Sequence, residues 1–112
     1  MREHFTTARE RTAGWTADDY RSAAEDADEL DRRVLALLRA GAAPGSPPTQ
    51  AVIADHLRMV SAHWTPDRAS YTGLGRLYVE DPAFRARYDA QGEGLAEYYR
   101  DAIAAYAASH LS

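Results

Sequence analysis

Apolar residues recur at helical spacing along almost the whole chain, and nearly every interruption is a residue type that starts or stops a helix. That pattern leaves no alternating segment from which a sheet could be built, so it predicts an all-α protein. Thr16 is a good N-cap, with Asp18 and Asp19 in the first turn behind it. Tyr20, Ala23, Ala24, Ala27, Leu30, Val34, Leu37 and Leu38 then keep one face up to Gly41, a natural stop. The other face, with Glu25, Asp28, Glu29, Arg32 and Arg33, reads as solvated. Ala42 to Pro48 is dense in Pro, Gly and Ser and reads as a loop.

The next stripe is Val52, Ile53, Leu57, Val60 and Trp64, with His56 and His63 on it one heptad apart, and Thr65-Pro66 ends that helix. Asp67 caps a helix from about Arg68 to Glu80 that turns Tyr71, Leu74, Leu77 and Tyr78 inward. Asp81-Pro82 starts a short helix with Phe84 and Tyr88, which Gln91-Gly92-Glu93-Gly94 closes. The last helix carries Leu95, Tyr98, Tyr99, Ala102, Ile103 and Tyr106, the clearest amphipathic pattern in the chain. Met1 to Trp15 is marginal on its own, because Phe5, Ala8 and Trp15 are its main apolar anchors among threonines and a glycine.

The 112 residues predict one domain, 1–112, with room for one core and one pocket. The formal net charge of -4 supplies no basic surface for a phosphate backbone, so direct binding to nucleic acid is not expected. No apolar run is long enough for a membrane span, and the N-terminus has no signal-peptide core, which predicts a cytoplasmic protein. With no cysteine, thiolate catalysis and thiolate metal ligation are excluded.

The residues that invite a functional reading are tyrosines and histidines. Tyrosines 71, 78, 98, 99 and 106 stand where leucine would pack more simply, and each buried hydroxyl needs a partner. They read either as the wall of an apolar cavity with a hydrogen-bonding rim or as helix-edge residues with hydroxyls in solvent. His56 and His63 are two helical turns apart, about 10 Å of rise. That is too far for a zinc pair on one helix, so they read as core or pocket-wall histidines, and no metal or other cofactor is expected. Gly73 and Gly75 inside a helix mark either close approach of a ligand or a tight helix crossing. No serine has an evident base, and nothing argues for an enzyme.

The order of these features resembles the TipAS antibiotic-recognition domain. The resemblance runs from Ala8-Arg9-Glu10-Arg11-Thr12-Ala13 and Thr16-Ala17-Asp18-Asp19-Tyr20 through Asp55-His56 and His63-Trp64. It is closest in the segment from Leu74 to Phe84 and in that from Gly94 to Ile103. What it implies is a compact, globin-like fold of five to six helices with a groove for peptide antibiotics, found alone or as the ligand sensor of MerR-type regulators. The expected function is non-covalent binding and sequestration of a large aromatic or thiazole-containing peptide antibiotic, giving drug tolerance. The sensor half of a MerR-type regulator is the alternative, and a small enzyme or haem protein is a weaker one. The chain departs from the family where a cysteine captures dehydroalanine-containing thiopeptides. It reads Thr65-Pro66-Asp67-Arg68 there and Gly73 at a second cysteine position. The expected ligand contacts are Phe5, Trp15, His56, His63, Trp64, Tyr71, Leu74, Tyr78 and Tyr98. Residues 1–15 are expected to act as a lid, in a monomer or weak dimer that stands alone without a winged-helix half.

Overall fold

The computed structural model describes residues 14–112, which form five α-helices and no strand. These are α1 (Ala17–Arg39), α2 (Pro47–Val60), α3 (Arg68–Glu80), α4 (Pro82–Asp89) and α5 (Leu95–His110). Phe5 and the remainder of the expected lid before Gly14 lie outside the described residues.

Capping side chains set the start of three of the five helices. Thr16 and Asp19 form a capping box: the Asp19 amide donates to Thr16 Oγ1 at 3.2 Å, and the Thr16 amide donates to Asp19 Oδ2 at 2.8 Å. At the other end Gly41 takes φ +76°, so that its amide reaches the Leu38 carbonyl and the Ala42 amide reaches that of Leu37. This paired closure needs a left-handed residue, and glycine is the residue that adopts it without strain. Asp67 and Ser70 repeat the capping box at the start of α3. Asp81 ends α3 and begins α4, and its Oδ1 accepts from the amides of Ala83 and Phe84.

Three expectations need correction. Pro47 and Pro48 belong to α2 and not to the preceding loop, because amides in the first turn of a helix have no partner to lose. The same helix stops at Val60, so His63 and Trp64 lie in and after the following turn, and the heptad stripe joining His56 to His63 does not exist. Tyr20 and Leu77, expected to face inward, are 51% and 40% exposed.

α5 packs against each of the other four helices and is the centre of the fold. Leu95, Tyr99, Ala102, Ile103 and Ala107 on it are fully buried, among Val34, Ile53 and Tyr71. α3 crosses it at Gly75, where an added Cβ would lie 3.2 Å from Ile103 Cγ2 and 3.3 Å from Arg100 Cα. Gly75 therefore serves a tight helix crossing, whereas a Cβ at Gly73 would meet nothing within 4 Å. Among the described residues, the buried side chains of α1 are confined to its C-terminal half. Leu30, Asp31 and Val34 are its buried residues, and none between Ala17 and Glu29 is buried.

Candidate ligand groove

Because the first three turns of α1 stand clear of the core, they leave a groove of about 620 Å³ against α2 and the turn that follows it. Asp19, Ser22, Ala23, Asp26 and Glu29 form the α1 wall, and Asp55, Arg58, Met59, Ala62 and His63 form the opposite one, with Leu30 and Arg33 between them. Trp15, just ahead of α1, spans the opening: its ring lies 5.4 Å from that of His63 and 5.0 Å, edge-on, from that of Tyr20. An apolar floor, two aromatic rings and several charged groups make a surface that can hold a flat molecule and orient its polar ends.

The charges are unevenly distributed. Arg33 reaches from α1 to Asp55 on α2 at 2.9 Å, and Arg58 pairs with the same carboxylate. Glu29 pairs with Arg32 at 2.8 Å, and Asp19 is held by the Thr16 amide.

Beneath the groove lies a buried polar network. His56, 2% exposed, lies between two phenols, with Nδ1 2.7 Å from the Tyr71 hydroxyl and Nε2 3.0 Å from that of Tyr78. Burial lowers its pKa from 6.5 to about 4, so near neutral pH the ring carries one proton, and one phenol donates to it while the other accepts. Burial likewise pushes the Tyr71, Tyr78, Tyr88 and Tyr99 phenols up, so all four stay protonated. Tyr99 donates to Asp31 Oδ1 at 2.5 Å, and Gln91 Nε2 donates to Oδ2 at 3.1 Å. Tyr98 donates to the Ala42 carbonyl at 2.8 Å and lies 2.9 Å from Thr49 Oγ1, which ties the α1–α2 loop to α5. No buried side-chain nitrogen or oxygen among the described residues lacks a partner.

The structure thus divides the expected contacts. Trp15 and His63 meet at the groove. His56, Tyr71 and Tyr78 meet in the core, and Tyr98 is buried beside the loop. Leu74 packs against the core from a half-buried position, and Trp64 is half-buried after α2. Asp26, Asp55, Arg58 and Met59 line the groove although none was expected as a ligand contact, because charges on a helix face look the same in sequence whether they border a cavity or bulk water.

Residues 2–106 match the TipAS antibiotic-recognition domain family. The chain is 36% identical over 107 residues to the HTH-type transcriptional activator TipA of Streptomyces coelicolor, covering 95% of this chain and 42% of that protein. It is 34% identical over 97 residues to the HTH-type transcriptional regulator SkgA of Caulobacter vibrioides, covering 83% and 37%. It therefore spans less than half the length of these curated relatives. Among solved structures it is similar to TipAS of Streptomyces lividans in complex with nosiheptide, from a thiopeptide antibiotic multidrug resistance system. That match has a TM-score of 0.87 and 36% identity, and covers 96% of this chain and 76% of the other. It is also similar to the antibiotic binding domain of a TipA-class multidrug resistance transcriptional regulator, with a TM-score of 0.73 and 36% identity over 86% of this chain and 98% of that one.

Proposed function

Since the chain belongs to the TipAS antibiotic-recognition domain family, we propose that it binds a large aromatic or thiazole-containing peptide antibiotic non-covalently and lowers its free concentration. The observation that carries this reading is likeness over 96% of the chain to a domain solved with nosiheptide. The α1–α2 groove is the site we favour. Its volume of about 620 Å³ suits a drug-sized ligand or one face of a larger one, and Trp15 and His63 supply rings for a planar heterocycle. His56, Tyr71, Tyr78 and Tyr98 would act from beneath, by holding α2 and its flanking loop in place, whereas Trp64 and Leu74 are not among the residues that line the groove. Neither cysteine nor lysine is present, so neither a thiolate nor a lysine amine can add to a dehydroalanine. Binding should be reversible.

A second reading is favoured by the curated relatives, which are transcriptional regulators more than twice as long as the aligned part. In such a protein this domain would be the ligand sensor. The two readings share the binding step. Titration of tryptophan fluorescence with nosiheptide, other thiopeptides and albicidin-like oligoamides tests that step, with intact-mass analysis of the denatured complex. Saturable quenching with an unmodified protein mass is expected, and no binding to any of these compounds would defeat both readings. An in-frame winged-helix region upstream would favour the sensor over sequestration.

A further inference from the structure

We propose that the α1–α2 groove selects flat aromatic ligands that carry a cationic group, and that Asp26 is the carboxylate that recognises the charge. This rests on the reading of the groove as the binding site and names the ligand chemistry the site prefers. The groove is lined by four carboxylates against two guanidiniums. Three of the carboxylates are already engaged: Asp19 with the Thr16 amide, Glu29 with Arg32, and Asp55 with both Arg33 and Arg58. Asp26 lines the same wall, and its carboxylate has no ion pair or hydrogen bond among the described residues.

The two ends of the groove therefore differ. At the Asp55 end both guanidiniums already pair with one carboxylate, so the positive charge that an anionic ligand would meet there is partly offset. Along α1 a cation meets Asp26 without breaking any existing pair. Trp15 sits at the same opening, and the face of an indole attracts a cation as well as stacking on a flat ring. Asp26 is exposed in the groove, so its carboxylate loses little hydration on folding. A ligand laid over it removes water from the pair and strengthens the attraction.

Two probes with the same tricyclic ring and opposite charge, 9-aminoacridine and acridine-9-carboxylate, provide the test, followed by the fluorescence anisotropy of each probe. The cation should bind about tenfold more tightly than the carboxylate in dilute buffer, and the gap should narrow as salt is added. Asp26→Asn should weaken cation binding about threefold or more. Asp28→Asn changes net charge equally on the same exposed helix but outside the groove, and it should have no such effect. Helical circular dichroism confirms that each variant is folded. Equal affinity for the two probes, or an equal loss in both variants, would overturn the proposal. If thiopeptides bind while the probes show no charge preference, the charge inference falls and the binding reading stands. If neither probes nor antibiotics bind, both fall.

Discussion

Tyr99 on α5 donates its hydroxyl to Asp31 on α1 across 2.5 Å inside the protein, and the Gln91 amide donates to the other oxygen of the same carboxylate. This bond is a buried polar anchor of α1 on the body, beside the more exposed Arg33–Asp55 pair. Tyr99→Phe leaves a buried carboxylate one donor short and should destabilise the protein by about 2 kcal/mol. Asp31→Asn removes the charge that most needs the donor. The double variant should then be more stable than the sum of the two single losses implies, by at least about 0.5 kcal/mol. Urea unfolding of the four proteins measures this, and strict additivity would show that the two groups do not act as a pair.

His56 makes stability depend on pH in one direction. Its folded pKa of about 4 lies below the unfolded 6.5, so between those values the unfolded chain binds a proton that the folded chain refuses. Stability should therefore fall as pH drops from 6.5 toward 4, by about 3 kcal/mol from this group at the lower end. His56→Phe should be less stable at neutral pH, because two phenols lose their shared partner, yet its stability should be flatter over that window. Chemical denaturation at several pH values decides it, and an unchanged slope in the variant would remove His56 as the cause.

Gly73 and Gly75 make a matched pair on α3. Alanine at 73 meets nothing and gains helix propensity, so Gly73→Ala should stabilise by up to about 1 kcal/mol. Alanine at 75 presses on the α5 backbone at Arg100 and on Ile103, and should cost about 1–2 kcal/mol despite the same propensity gain. Thermal melts of both variants suffice. Equal shifts would mean that the crossing is not close-packed.

At the groove, Trp15→Ala and His63→Ala should each weaken antibiotic binding several-fold, on the order of 1 kcal/mol per lost ring contact, with helical content unchanged. Tyr71→Phe, which alters only the buried network, should change stability while leaving affinity within about twofold. The comparison needs titration and unfolding curves on the same preparations. A Tyr71→Phe protein that is fully stable but fails to bind would move the site from the groove into the core.

The sequence showed helix limits wherever one side chain sets them. Thr16, Gly41, Asp67 and Asp81 act on amides and carbonyls within a few residues, and each does what its type predicts. Partners far along the chain were illegible. His56 meets Tyr71 and Tyr78 at separations of 15 and 22 residues, and Asp31 meets Tyr99 at 68, which no periodicity encodes. The stripe from Tyr20 to Ala27 misled for a related reason, because alanine and tyrosine at helical spacing look alike whether or not another helix covers them. The groove exists because nothing among the described residues does.

Ala17 to Glu29 forms a lever about 20 Å long, fixed near Leu30 and Val34. A swing of about 10° at that pivot would carry its tip about 3 Å, roughly the thickness of one aromatic ring. Such a swing would disturb the Trp15–His63 contact but no buried side chain, so the aperture can be reset without reworking the interior. A site built in this way need not match one guest closely. Under the proposed function it would act as adjustable jaws, tolerant of thickness and selective through the groups set along its edge.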